Sequence, residues 1–203
     1  MPPHVHTGQL LGGRIDADGP LRPFGLGWPN LISVLRIFLA PVLVVLVLSE
    51  DHTAASIAAA VFVFGAFTDG LDGWLARRYS NSTTIGQWLD PLADKVLVSA
   101  PLIAMSATGD FPAWATVVIV GRELAVSLLR TRLGTRGIAM PASLWGKAKT
   151  AVQMILVPLY LLPLGAGAET TRRIVLALAV ALTVWSGLDY FLGAGRRAPA
   201  ERR

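Results

Sequence analysis

Residues Thr68–Lys95 read TDGLDGWLARRYSNSTTIGQWLDPLADK. Four aspartates fall in this stretch, Asp69, Asp72, Asp90 and Asp94, and only Asp94 has a basic residue within a helical turn, Lys95. Asp69 and Asp72 are spaced i, i+3 and share a helix face, which Gly73, Ala76 and Arg77 continue. Asp90 and Asp94 are spaced i, i+4 on the next helix, with Gly86 one turn earlier on the same stripe. A short loop around Ser80–Thr83 makes the two helices antiparallel neighbours. The two aspartate pairs then face each other at one end of the helices.

The surrounding sequence sets these aspartates against an apolar background. The chain has 203 residues, of which 53% are apolar and 15% charged, whereas a soluble domain carries about 25% charged residues. The charges are clustered, and long stretches have none. Six segments, 31–49, 53–77, 84–107, 111–133, 146–164 and 171–193, are each long enough to cross a hydrocarbon layer of about 30 Å as a helix. The expected fold is therefore all-α, a polytopic membrane protein of six transmembrane helices with a polar cavity open to the cytoplasm. Residues 1–27 form an N-terminal segment, 28–193 the helical domain and 194–203 a basic tail. Pro41, Pro101 and Pro158 lie inside the spans, where membrane helices tolerate proline. A secretory leader is not expected, because the first apolar run is too long for a signal core of about 7–15 residues.

Loop charges orient the chain. Arg14 and Arg22, Arg77 and Arg78, the run Arg130, Arg132, Arg136, Lys147 and Lys149, and the tail arginines alternate with loops holding Glu50, Asp51, Asp110 and Glu169. Arg172 and Arg173 are the exceptions. Both termini are then cytoplasmic. Net charge is +5, which on this pattern reflects membrane flanks facing anionic headgroups; no nucleic-acid partner is expected. There is no cysteine, so thiol and disulfide chemistry are excluded. His4 and His6 form a His-x-His pair in a polar tail, a weak metal signal on its own.

Ionisable residues bordering apolar helices point to function. Four convergent carboxylates repel one another unless they are protonated or bind cations. Oxygen-only ligands favour hard ions, Mg²⁺ or Mn²⁺, over Zn²⁺, and two such ions close together form the clamp used in phosphoryl-type displacement. Gly73, Ala76 and Gly86 clear the metal-facing stripes so that a bulky substrate can approach, and Arg77 offers a planar fork for phosphate. Helix packing alone explains small residues and membrane flanking explains Arg77 and Arg78, but neither explains four aspartates in register with them.

The run Asp69-Gly-Leu-Asp72-Gly73-Trp-Leu-Ala76-Arg77, then eight residues to Gly86, three to Asp90 and three to Asp94, resembles the full signature of the CDP-alcohol phosphatidyltransferase family. The resemblance extends over the six-helix pattern from about Trp28 to Gly193. It implies that Asp69, Asp72 and Asp90 hold one metal and that Asp69, Asp90 and Asp94 surround the other. Gly73, Ala76, Arg77, Thr83 and Gly86 would take the donor, CDP-diacylglycerol, with Asn30 and Arg36 as further candidates. Asp94 would be the base that activates the acceptor hydroxyl. The resemblance also implies a homodimer in a bacterial cell membrane.

The acceptor is read from Gly121–Arg130, Gly137-Ile138 and Pro141–Met154, which are similar to the branch of that family whose acceptor is sn-glycerol 3-phosphate. The opening Trp28-Pro29-Asn30-Leu-Ile-Ser33-Val-Leu-Arg36 also fits it. Arg122 and Arg130, eight residues apart, lie close to one helix face, and with Lys147 and Lys149 they can form a phosphate site. Arg130, Lys147 and Lys149 also read as ordinary cytoplasmic flanks, and Arg122 with Glu123 as a buried ion pair. Other acceptors, inositol phosphate or phosphatidylglycerol, keep the same reaction. A cation transporter also places aspartates in a membrane, but clustering of all four at one end disfavours it. A noncatalytic scaffold would tolerate loss of Asp94.

Overall fold

The computed structural model describes residues 28–79, 86–138 and 143–197, with side chains for 32–68, 91–138 and 143–195. Six α-helices follow one another: α1 (Trp28–Leu48), α2 (His52–Tyr79), α3 (Gly86–Thr108), α4 (Ala113–Gly134), α5 (Leu144–Leu161) and α6 (Glu169–Arg197), with a 3₁₀ turn at Ala166–Ala168 before α6. No strand occurs among the described residues, so the protein is all-α. Each helix coincides with one apolar segment of the sequence and ends within about one turn of its expected limits.

The helix ends show why the apolar runs stop where they do. After α3, Gly109 takes a left-handed φ of 87° and the chain turns back, so that the Phe111 N–H reaches the Met105 carbonyl at 3.1 Å. After α4, Gly137 has φ 78°; its N–H bonds to the Gly134 carbonyl, and the Ile138 N–H bonds to the Leu133 carbonyl, both at 3.0 Å. This is the glycine-terminated helix end in which two otherwise orphaned carbonyls are satisfied. Ile138 then packs with Leu133 and with Ala194 of α6. The Ser143 hydroxyl opens α5 by accepting from the Gly146 N–H at 3.1 Å.

α1 packs chiefly on α3 and α2, α5 lies against α6 and α2, and α4 against α6 and α3. The shared core holds Leu43, Phe62, Leu97, Leu102, Ile119 and Leu156. At Gly65 an added Cβ would lie 3.1 Å from both Leu97 methyls and 3.5 Å from Leu39, so the missing side chain lets α2 close onto α1 and α3. Hydroxyl bonds fix the register of neighbouring helices. Ser106 and Thr116 join α3 to α4 at 2.6 Å. Gln153 on α5 donates to the Thr183 hydroxyl on α6 at 3.2 Å, and Thr183 donates to the Ala179 carbonyl at 2.6 Å. Both residues are fully buried, so Thr183→Val, nearly isosteric, would strand the Gln153 amide. The expected loss is about 1–3 kcal/mol, read as a lowered thermal unfolding midpoint.

The α1–α2, α3–α4 and α5–α6 connections meet at one end, around a cavity of about 520 Å³ lined by Glu50, Asp51, His52, Asp110, Leu164 and Arg172 among others. Here the two exceptional arginines find local work. Arg172 donates to the Leu159 and Leu162 carbonyls at the end of α5, at 3.1 and 2.7 Å, and lies over the Tyr160 ring. Arg173 pairs with Glu169 at 2.8 Å, one turn away.

By length and apolar composition, one helical stretch among the described residues, Ala166–Gly195, suffices to cross a membrane; the described parts of α1 and α2, Ile32–Leu48 and His52–Thr68, are apolar but shorter than that test requires. Among the described residues the other five expected spans are not confirmed by length and composition. In α4 the reason is visible: Arg122, Glu123 and Arg130 interrupt the apolar run.

Candidate active site

Because three connections gather at one end, the closing turns of α2 and the opening turns of α3 lie at the other. Asp69, Asp72, Gly73, Ala76 and Arg77 belong to α2, and Gly86, Asp90 and Asp94 to α3. The end of α4 and the start of α5 belong to this same end. Thr83 lies outside the described residues, and so do the side chains of Asn30, Asp69, Asp72, Ala76, Arg77 and Asp90. Of the four aspartates, only the side chain of Asp94 is described. Among the described residues no group of three or more His, Asp or Glu side chains is spaced to hold a metal. The donor chemistry nevertheless suits a hard divalent ion: every candidate ligand is a carboxylate, and the Asp94 side chain is 47% exposed at the mouth of α3.

Asp94 is tied to α1. Arg36 Nη1 donates to Asp94 Oδ1, and Arg36 Nη2 donates to the Ser33 hydroxyl at 3.4 Å. The Arg36 side chain is only 2% exposed. A guanidinium so buried requires a counter-charge, and the carboxylate that supplies it is held in one orientation. Arg36, expected from the sequence among the donor-binding residues, therefore reaches the proposed base.

A second polar cluster joins α4, α5 and α6. Glu123 accepts from Arg122 Nη1 at 3.2 Å and from the Lys149 ammonium. These side chains are 16%, 11% and 4% exposed for Glu123, Arg122 and Lys149. The ion pair anticipated between Arg122 and Glu123 is thus a triad, with one carboxylate shared by two cations. Arg122 Nε and Nη2 are buried with no hydrogen-bond partner among the described residues. Both Arg122 and Arg130 lie over the ring of Tyr190 on α6, each Cζ 5.7 Å from its centre. The neighbour of Asp94, Lys95, is within electrostatic reach of Glu123 and Arg130, so the cluster adjoins the aspartate end of α3. Lys147 is exposed at the start of α5.

Of the basic residues expected to act together, Arg122, Arg130 and Lys149 converge, and Lys147 stands at the rim. Sequence reasoning missed Tyr190 and Gly187. An added Cβ at Gly187 would sit 3.3 Å from Arg122 Cγ, so the glycine makes room for the arginine stem. The available signal was a glycine three residues before a tyrosine, on one face of an apolar helix.

Residues 26–185 match the family model described as CDP-alcohol phosphatidyltransferase. The chain belongs to that family and is an enzyme of that type. A Mycobacterium tuberculosis protein named "Probable phosphatidylglycerophosphate synthase" is 41% identical over 164 residues, covering 79% of this chain and 78% of the relative. Proteins named "CDP-diacylglycerol--glycerol-3-phosphate 3-phosphatidyltransferase" are similar too. The one from Bacillus subtilis is 38% identical over 178 residues, 80% of this chain and 92% of the relative. The one from Pseudomonas fluorescens is 38% identical over 175 residues, 82% and 89%.

Proposed function

We propose that this enzyme transfers the phosphatidyl group of CDP-diacylglycerol to sn-glycerol 3-phosphate, releasing phosphatidylglycerophosphate and CMP. The observation that carries a phosphate-bearing acceptor is the cationic cluster near Lys95, the neighbour of Asp94. Arg122 keeps buried donors with no partner among the described residues, and a phosphate monoester is the class of ligand that satisfies them with matched charge. The names of the relatives support the same acceptor. Inositol phosphate and phosphatidylglycerol remain the acceptors to be tested against it.

Asp69, Asp72, Asp90 and Asp94 would hold Mg²⁺ or Mn²⁺, two ions per site, which supply charge neutralisation at the diphosphate when bound. Asp94, oriented by Arg36, takes the proton of the acceptor hydroxyl. The hydroxyl oxygen forms a bond to the β-phosphorus as the bond from that phosphorus to the CMP oxygen breaks, and the pair of electrons leaves with CMP. Gly73, Ala76, Arg77, Thr83 and Gly86, with Asn30 at the start of α1, would accommodate the donor's cytidine diphosphate.

The reading includes a bacterial cell membrane as solvent, both termini cytoplasmic, and a homodimer. Large apolar side chains are exposed around the bundle, among them Phe38, Val45, Phe67, Val117, Leu128 and Ile174. So much apolar surface in contact with water would drive aggregation, whereas lipid accommodates it. The diacyl tails would remain in that lipid while the headgroup enters from the aspartate end. Two separate assays test the reading. The protein should stay with the membrane pellet through a carbonate wash; release into the supernatant would sink the membrane reading. Chelation with EDTA should abolish CMP release, and Mg²⁺ or Mn²⁺ should restore it. Activity that persists in EDTA would remove the metals from the mechanism.

A further inference from the structure

Arg122 and Arg130 are eight residues apart on α4, about 12 Å along the helix axis, yet each guanidinium carbon lies 5.7 Å from the centre of one ring, Tyr190. Tyr190 is 6% exposed. Its ring lies near α5 at Gly146, where an added Cβ would fall 3.9 Å from Tyr190 Cε2, and its helix leaves room for the stem of Arg122 at Gly187. The three helices thus deliver two cations to one aromatic plate.

The choice of an aromatic partner has a chemical consequence. A carboxylate in this position would take the N–H donors of the arginines and cancel their charge. A ring attracts a guanidinium through its quadrupole and does not itself take the in-plane donors. Glu123 takes only Nη1 of Arg122; Nε and Nη2 are buried and have no partner among the described residues. The side chain is therefore held in place with two donors that no described residue satisfies.

We propose that Tyr190 is a positioning residue, which holds Arg122 and Arg130 as a pair aimed at the phosphate of the acceptor. The proposal rests on the acceptor reading above and adds the residue that sets the affinity for that phosphate. Tyr190 does not touch the reacting atoms. Its loss therefore weakens acceptor binding and leaves the chemical step and the donor site nearly intact.

The test compares the wild type with Tyr190→Phe and Tyr190→Leu in detergent. It measures kcat, KM for glycerol 3-phosphate, KM for CDP-diacylglycerol, and inhibition by inorganic phosphate competing with the acceptor. Tyr190→Leu should raise KM for glycerol 3-phosphate about 5–30-fold, the loss expected when two cation–π contacts go. The inhibition constant for phosphate should rise in proportion, while kcat and KM for CDP-diacylglycerol change little. Tyr190→Phe, which keeps the ring, should restore the acceptor KM to near the wild-type value. An unchanged acceptor KM in Tyr190→Leu, an equal rise for both substrates, or a Phe variant as impaired as the Leu variant would overturn the proposal. If the Leu variant does not fold, Tyr190→Met, whose flexible side chain refills the space, carries the same comparison. Should the wild type turn over only with a different acceptor, the acceptor reading fails. The phosphate inhibition then still decides this proposal: a wild type insensitive to phosphate contradicts it, and sensitivity lost in the Leu variant supports it.

Discussion

Asp94→Asn is expected to lower CMP release by about 10²–10⁴-fold, the range for removing a general base, while the protein remains folded. The separation of the two effects follows from the Arg36 contact. Asparagine keeps a carbonyl oxygen where Asp94 Oδ1 accepts from Arg36, so the buried guanidinium retains an acceptor and loses only the charge assistance. Half of the Asp94 side chain faces the open end of α3, where solvent screens the lost charge. The thermal midpoint should therefore fall modestly and activity severely. Arg36→Gln should not separate the two effects. It removes the group that orients Asp94 and leaves a buried neutral amide, so stability and activity fall together. Equal losses of activity and stability in Asp94→Asn would mean that Asp94 serves the fold rather than the chemistry.

Glu123→Ala should destabilise the protein by about 3–5 kcal/mol, the penalty for breaking a buried ion pair by removing one partner. Glu123 is the counter-charge for both Arg122 and Lys149, and the Lys149 side chain is only 4% exposed. Its removal leaves two cations facing each other at the junction of α4 and α5. Lys149→Met in the Glu123→Ala background should recover part of that loss, because it deletes one of the stranded charges. The recovery is a coupling, measured by a double-mutant cycle of unfolding free energies. If the two substitutions simply add, the triad is not the unit described above.

The helices were legible because each apolar run ends at a residue with a physical reason to end it: Gly109 and Asp110 after α3, Gly137 after α4, and the Pro163–Gly165 stretch after α5. The aspartates stood out in the sequence because their spacing puts each pair on one helix face. The shared end of α2 and α3 followed from the shortness of the intervening loop. Arg122 and Glu123 stood out as charges inside an apolar segment, and the structure extends that pair to Lys149, which also reads as an ordinary flank. What could not be read was which helices touch. The partner of Arg36 lies 58 positions away on α3, and nothing in the local pattern of α1 distinguishes a donor-binding arginine from one that orients a carboxylate. Tyr190 was hidden for a related reason. On α6 it reads as one more apolar position, and only the packing of α4 against α6 sets two arginines on its ring. Arg172 and Arg173 broke the loop-charge rule for a local reason, since one binds the carbonyls that end α5 and the other pairs with Glu169.

The central claim is phosphatidyl transfer to glycerol 3-phosphate. Its most direct test is CMP release by the purified wild type from CDP-diacylglycerol with Mg²⁺ or Mn²⁺. Glycerol 3-phosphate, inositol phosphate, serine and phosphatidylglycerol are supplied one at a time, with Asp94→Asn as the control. The account predicts release with glycerol 3-phosphate alone, lost in the variant. Release with another acceptor and none with glycerol 3-phosphate would contradict the choice of acceptor, and folded protein that releases no CMP with any acceptor would contradict the reaction itself.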